Sequence, residues 1–188
     1  MNSIKKLTTA LVMFCCLALV AGCAQNSAPN ITQPGSTVTD KDKNIHKMVD
    51  KKVVLYRVPT DGSPYLLAES KTIKVANNDV ALATVKALVE TLPADKKMQN
   101  VFPKGTKVLG VSVQDGIATV NFSKEFTKKP EGEYASLMMV NAVVNTLTQY
   151  PEIKKVRILS AGQKIVVLGQ MDLEEPLARN ESFIKKGK

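Results

Sequence analysis

Hydrophobic and polar positions recur with two different periods along this chain, and the periods predict its elements. Between residues 52 and 180, short β-branched runs bounded by turn residues predict strands. Two longer segments place apolar residues three or four positions apart, which predicts amphipathic helices. The predicted order is ββα-ββα-ββ. This order indicates an α+β two-layer sandwich, in which a small mixed or antiparallel sheet carries both helices on one face.

The strand pattern is clearest in the middle of the chain. There, Asp115-Gly116 separates two alternating runs, which is among the strongest short-range signals for a β-hairpin. The apolar residues Leu109, Val111 and Val113 share one face of the first run. In chain order, the predicted strands are residues 53–58, 65–75, 107–113, 117–122, 155–159 and 164–168.

Both predicted helices have a continuous apolar stripe. The first begins after Asn77, Asn78 or Asp79, each of which can accept a backbone N–H bond as a cap, and it ends before Pro93. The second runs from about residue 131 to residue 149. The predicted buried stripes are Ala81, Val85, Leu88 and Leu92 in the first helix, and Leu137, Val140, Val144 and Leu147 in the second.

A polar stripe lies beside the apolar one on the second helix and is the candidate interaction surface. It consists of Asn141, Asn145 and Thr148. The asparagines could bond across to a strand edge or contact a partner, and the plainer interpretation is a solvated or capped helix flank. The neighbouring Met138 and Met139 are expected to fill the core.

The first 22 residues follow a different pattern, that of an export signal. Two lysines precede an apolar run of about 15 residues, shorter than the roughly 20 that a membrane-spanning helix needs. The run ends in Leu-Val-Ala-Gly-Cys at residues 19–23, which resembles the lipobox of bacterial lipoproteins. This resemblance implies cleavage before Cys23 and lipidation of its thiol, with the acyl chains holding the protein at a membrane.

Composition divides the rest of the chain into a tether, a domain and a tail. Residues 23–51 are rich in polar residues, Pro and Gly after the cysteine, and too poor in large apolar residues to form a core, so we expect a lipidated, largely disordered tether. Residues 52–180 form the predicted domain. Residues 181–188 are expected to be a frayed basic tail.

The charge balance leaves two interpretations open. Without residues 1–22, the chain has 24 basic and 17 acidic residues, a net charge of +7. The charge could keep the domain soluble, or it could bind anionic wall polymer or another anionic ligand. Nucleic acid is not an expected partner outside the cell.

The sequence lacks the usual signatures of catalysis. The one histidine, His46, lies in the predicted tether, and the three cysteines all lie at or before position 23. There is no nucleophile elbow, phosphate-binding glycine loop or metal-ligand motif. We therefore expect no enzyme, no cofactor and no metal site.

Four motifs in the same order resemble the GerMN domain, which is found in sporulation and germination lipoproteins and in other envelope lipoproteins. They are Phe-Pro-Lys-Gly-Thr-Lys-Val-Leu-Gly-Val at 102–111, Asp-Gly-Ile-Ala-Thr-Val-Asn-Phe-Ser at 115–123, Val-Asn-Thr-Leu-Thr-Gln-Tyr-Pro at 144–151 with Val-Arg-Ile-Leu at 156–159, and Gly-Gln-Met-Asp-Leu-Glu-Glu-Pro-Leu-Ala-Arg at 169–179. The resemblance implies a non-catalytic module that packs against copies of itself or against envelope proteins. In the last motif, Arg179 is expected to pair with Asp172 or to cap a helix C-terminus.

These observations support two functional hypotheses. In the first, a membrane-anchored lipoprotein uses a GerMN-like domain for protein interaction or assembly in sporulation, germination or envelope maintenance. In the second, the lipoprotein binds wall polymer or another anionic ligand on its basic surface. Both place the domain outside the cytoplasm, at the cell membrane or, in a two-membrane host, at the outer membrane.

Overall fold

The computed structural model describes residues 48–128 and 134–185 of the chain. The predicted signal at 1–22, Cys23, most of the tether, residues 129–133 and residues 186–188 lie outside the described residues. Among the described residues, no helix has the length and apolar character needed to cross a membrane.

The first sheet is built on a long hairpin. Strand β1 (Val49–Pro59) pairs antiparallel with β2 (Leu67–Val75) over nine residue pairs. The short strand β3 (Met98–Gln99) pairs with the end of β1, which gives the order β2-β1-β3. Alternation along β1 places Val53, Leu55 and Arg57 on the face that packs against the helices.

The second sheet is mixed. Strands β4 (Val108–Gln114) and β5 (Ile117–Phe122) form an antiparallel hairpin, and β6 (Lys155–Ser160) lies parallel to β5. Strands β7 (Gln163–Lys164) and β10 (Leu177–Ala178) pair with the free edge of β6. A separate pair joins β8 (Val167–Leu168) to β9 (Met171–Asp172).

The turn chemistry explains the central hairpin. Asp115 and Gly116 have φ angles of 51° and 76°, so both central residues are left-handed, as a type I′ turn requires. Ala161 and Gly162 repeat this arrangement between β6 and β7, with φ angles of 48° and 78°. The hairpin prediction at Asp115-Gly116 is confirmed. The predicted shared face is wrong for Leu109, because the strand register shifts between Val108 and Gly110 and leaves Leu109 56 % exposed.

Both helices lie against both main sheets. Helix α1 (Val80–Glu90) is capped by Asp79, whose carboxylate accepts the Leu82 N–H at 3.0 Å. It packs against β1, β2 and β4. Helix α2 (Ala135–Leu147) packs against α1, β1, β6 and β9, and it is buried at every position from Met138 to Leu147. The two methionines fill the core, as predicted.

The α+β class is confirmed, with two helices and mixed or antiparallel strands. The predicted single sheet is divided into separately hydrogen-bonded sheets. The predicted last strand over 164–168 is also divided, because β7 pairs with β6 whereas β8 leaves the sheet to pair with β9. Ile165 and Leu168 are buried, so the chain turns over the core instead of following β6.

One predicted core position is wrong. Leu92 is 78 % exposed, because α1 ends at Glu90 and Thr91 is already extended. Val89, which the stripe omitted, is buried instead at 4 % exposure.

The ordered domain extends past both predicted boundaries. Strand β1 begins at Val49, within the predicted tether. At the other end, Leu66 donates its N–H to the Phe183 carbonyl at 2.6 Å and accepts the Lys185 N–H at 3.0 Å. Residues 181–185 therefore belong to the folded domain and not to a frayed tail.

Candidate interaction surface

The predicted polar stripe on α2 is largely turned inward. Asn145 is completely buried, and its amide exchanges two bonds of 2.9 Å with the backbone of Asn180. Asn141 is 5 % exposed and donates to the Leu137 carbonyl one turn back. Thr148 is half-buried and donates to the Val144 carbonyl at 2.7 Å. The solvated-flank interpretation is wrong for both asparagines, because neither side chain is exposed on the surface of the domain.

Helix α2 does bond across to a strand edge, but from neighbouring positions. The Thr146 hydroxyl accepts the Tyr56 N–H at 3.0 Å, and the Gln149 amide donates to the Val54 carbonyl at 2.7 Å. These bonds satisfy groups on the edge of β1 that β3 does not reach. Sequence reasoning missed both residues, although each is polar and lies within or beside an apolar helix.

Arg179 fixes the closing segment to α2. Its Nη1 donates to the Asn145 carbonyl in the last turn of the helix at 2.9 Å, and its Nη2 donates to the Tyr56 hydroxyl at 3.0 Å. The guanidinium also lies 5.3 Å from the centre of the Tyr56 ring. The helix C-terminus alternative is therefore correct, and the predicted pairing with Asp172 is wrong.

The largest buried polar group, Arg57, was not singled out from the sequence. The side chain is 1 % exposed, and its Nε donates to Glu69 at 2.8 Å. Its other donors bind the end of α1: Nη2 reaches the Ala87 carbonyl at 3.1 Å, and Nη1 reaches the carbonyls of Leu88 and Thr91. The available signal was a cation near the end of the apolar run at 53–58.

Glu69 is held as a carboxylate in this network. Burial, the strongest single influence, pushes its pKa upward. The Ala94 N–H, the bond and charge of Arg57 and the charge of Lys71 together outweigh burial, so the pKa of Glu69 lies below its ordinary value of 4.5. Both carboxylate oxygens are occupied by these bonds, so the pair stabilises the helix end and presents no free base.

An apolar groove of about 750 Å³ lies between the end of β1, the start of α2 and Phe183. Val58, Leu137 and Met138 form part of its wall, and no charged residue or histidine is among the described residues that line it. No group of three or more His, Cys, Asp or Glu residues within 48–128 and 134–185 could hold a metal ion.

The outer face of the mixed sheet, on the side away from the core, combines positive charge with polar side chains. Residues on it alternate with the buried positions of β5 and β6. The strand register places Thr119 beside Arg157, and Ile117 beside Lys155. Lys164 lies opposite Leu159. The remaining positions on this face are Gly110, Ser112, Gln114, Asn121 and Ala178.

This face, which we call the basic face, is unbalanced in charge. Lys155, Arg157 and Lys164 are its three cations, and none of its eleven register positions is acidic. Among the described residues, no ion pair involves any of the three cations. The face therefore presents positive charge together with hydroxyl and amide groups that can hydrogen-bond.

Comparison with solved structures finds two similar chains from one organism. The chain is 26 % identical to the tandem GerMN domains of the sporulation protein GerM from Bacillus subtilis, with a TM-score of 0.58. That match covers 70 % of this chain and 46 % of the other, so the chain spans about half the length of the tandem protein. The first GerMN domain of GerM matches at 25 % identity and a TM-score of 0.54, covering 69 % of this chain and 98 % of the other.

A third structure shares the fold. It is the crystal structure of a lipoprotein candidate from Clostridium perfringens, with 23 % identity and a TM-score of 0.51, covering 71 % of this chain and 89 % of the other. A search of curated protein sequences found no match. The sequence model of the Germane family, described as sporulation and spore germination, matches residues 51–166. Because this match spans more than half of the chain and includes both helices and the long strands of both main sheets, the protein belongs to the Germane family.

Proposed function

We propose that this protein is a membrane-anchored envelope lipoprotein whose Germane domain acts as a non-catalytic module for protein interaction or assembly. The observation that carries the proposal is the family match over residues 51–166. The similar solved chains belong to a sporulation protein, which supports a role in sporulation, germination or envelope maintenance. The described groove is lined without charged residues or histidine, which supports a contact made by apolar packing and not by acid–base chemistry.

In-cell cross-linking of the tagged full-length chain, followed by mass spectrometry, tests this role. The expected result is reproducible capture of a small set of envelope proteins or of the chain itself. A tagged lipoprotein of unrelated fold, expressed at the same level, is the control for proximity at the membrane. A chain that is strictly monomeric and captures nothing beyond that control would contradict the proposal.

The anchor is a separate part of the proposal and has its own test. The Leu-Val-Ala-Gly-Cys sequence at 19–23 supports lipidation of Cys23, and two or three acyl chains would anchor the protein stably at the membrane. Cys23→Ala should leave an uncleaved precursor without acyl groups, as measured by intact mass spectrometry of the membrane fraction. Cys16→Ala, within the same predicted signal, should be processed like the native chain. Processing of the Cys23→Ala chain at the native site would exclude the lipobox assignment.

The basic face favours a second candidate function, the binding of an anionic polymer of the cell wall. Three cations lie on one uncovered sheet face, and none of them forms an ion pair within the described part of the chain. They would attract such a polymer with a strength that falls as salt is added. Retention of the purified full-length protein on isolated wall material at low salt, with release at high salt, is expected. Absence of retention at low salt would exclude this candidate.

A further inference from the structure

We propose that the free edge of β4 pairs antiparallel with β4 of a second copy of this chain, centred on Ser112. The inference rests on the proposed function as an interaction module, and it assigns both the surface and the partner. The edge strand is the feature from which it starts. In the mixed sheet, the order β10-β6-β5-β4 leaves one side of β4 without a strand partner among the described residues.

Strand β4 lacks the features that keep the other edge strands from pairing with another chain. Natural edge strands are usually short, charged or covered, because unpaired N–H and C=O groups can template pairing with another chain. Strands β3, β7 and β10 are two residues long, and β2 includes Glu69, Lys71 and Lys74. Strand β4 has seven residues, Val-Leu-Gly-Val-Ser-Val-Gln, and none of them is charged.

The hairpin register shows which backbone groups are open. A two-residue type I′ hairpin closes on a hydrogen-bonded pair, here Gln114 with Ile117. Since bonded and non-bonded pairs alternate along an antiparallel ladder, Val111 and Val113 direct their N–H and C=O groups away from β5. The Val108 N–H is already bonded to the Glu90 carboxylate at 3.0 Å. The open part of the edge is therefore Val111 to Val113.

This open part is self-complementary. A two-fold axis through Ser112 places Val111 of one copy opposite Val113 of the other, which makes two hydrogen-bonded pairs with matching groups. The Val111 and Val113 side chains would then lie together on the core side of the extended sheet. Val113, which is 44 % exposed in the single chain, would lose that exposure.

Charge supports the antiparallel direction. Lys107 precedes β4 and Asp115 follows it. Antiparallel pairing brings the Lys107 end of one strand to the Asp115 end of the other, at both ends of the contact, whereas parallel pairing would align like charges. No charged residue within β4 opposes the contact.

The size of the contact predicts a weak dimer. Pairing of so short a strand segment buries less than the roughly 1,000 Å² expected for a stable interface, so the association should be weak at low concentration in solution. Attachment of both copies to one membrane would raise their effective concentration, as in any tethered pair. The dimer is therefore expected chiefly at the membrane.

A disulfide cross-link through a cysteine introduced at Ser112 of the full chain tests the register. In the proposed dimer, the two Ser112 residues form a non-bonded pair with Cα atoms about 4.5 Å apart, within the roughly 4.4 to 6.8 Å that disulfides have. Cells producing the Ser112→Cys chain are treated with a mild oxidant, and membranes are run on a non-reducing gel. We expect a disulfide-linked dimer at least tenfold above that of the parent chain, which controls for Cys15, Cys16 and Cys23.

Thr119→Cys is the matched control, because Thr119 pairs directly with Ser112 and shares its face. It lies one strand further from the axis, so its two copies would be roughly 14 Å apart and could not be linked. Adding Val113→Lys to the Ser112→Cys chain should abolish the link, since a lysine on an edge strand opposes pairing. Equal dimer from Ser112→Cys and Thr119→Cys, or a link that survives Val113→Lys, would overturn the proposal. Capture of other envelope proteins by the native chain would still support the proposed function.

Discussion

At the scale of single residues, Arg57 shows how a buried charge can organise two elements. Its guanidinium binds Glu69 on β2 and three carbonyls at the end of α1. The carbonyls at a helix C-terminus have no partners within the helix and carry partial negative charge. Arg57 supplies donors and a positive charge at this position, so the strand and the helix end are held together where the core is closed.

Replacing Arg57 should therefore be costly. Arg57→Met keeps much of the length but leaves the Glu69 carboxylate and the helix carbonyls without their donor, so we expect a loss of about 3 to 5 kcal/mol in the free energy of unfolding. Denaturant unfolding of the full chain measures this. Lys74→Met is the control, because the Lys74–Asp50 pair is exposed and should contribute less than about 1 kcal/mol. Equal losses in the two variants would contradict the assigned role.

Glu69 makes the stability depend on pH in a defined direction. Its pKa in the folded state lies below the ordinary 4.5, so in acid the unfolded chain takes up its proton first. Its contribution is complete above pH 4.5 and is lost as the pH falls through the folded pKa. Glu69→Gln should be less stable than the native chain at about pH 7, and the difference should shrink towards about pH 3. A difference that is constant across denaturant titrations at these pH values would contradict this prediction.

At the scale of elements, features that depend on a few adjacent residues could be predicted from the sequence, whereas features that depend on distant contacts could not. The hairpin at Asp115-Gly116 was predictable because its signal is contained in a few adjacent residues. Because the prediction relied on Pro93, it placed the end of α1 too late. The helix already ends at Glu90, and Arg57 binds carbonyls of its last turn.

The inward turn of Asn145 could not be predicted from helical periodicity. Its partner, Asn180, is 35 residues away in a segment without regular structure. The same holds for Thr146 and Gln149, whose partners on β1 are 90 and 95 residues distant. Periodicity reports which side of a helix is polar, but only the tertiary arrangement decides whether that side meets solvent or backbone.

Gly169 is the point where the turn between β8 and β9 meets α2. Its φ angle is +61°, and a Cβ at this position would lie 2.6 Å from Ser136 Oγ and 2.8 Å from Ser136 Cβ. Gly169→Ala should therefore combine a left-handed backbone cost of about 1 to 2 kcal/mol with an overpacking cost of about 1 to 3 kcal/mol. Thermal and denaturant unfolding measure the loss.

Gly62 provides the matched control for this prediction. Its φ angle is +74°, but no atom lies within 4 Å of the position where its Cβ would be. Gly62→Ala should show the backbone cost alone. Adding Ser136→Gly to Gly169→Ala should recover part of the overpacking cost. If the two alanine variants lose the same stability, then the contact with Ser136 does not limit this turn.

At the scale of the whole molecule, the proposed edge contact and the basic face belong to the same sheet. Pairing of two β4 strands would join two mixed sheets into one and place six cations on a continuous outer face. An extended anionic polymer could then contact both copies, and the second contact would form at a high effective concentration. Self-association would thereby strengthen the second candidate function without any new residue at the site.

The position of the cations, and not the net charge alone, should decide binding to an anionic polymer. Replacing Lys155, Arg157 and Lys164 with glutamine should lower retention on isolated wall material at low salt by roughly a hundredfold, at about 1 kcal/mol for each cation near an anionic surface. The control removes the same charge from exposed lysines on other elements, namely Lys51, Lys86 and Lys96. It should bind nearly as well as the native chain, because screening limits each exposed charge to about 10 Å at moderate salt. Equal losses in the two triple variants would show that net charge alone drives retention and that the basic face is not a site.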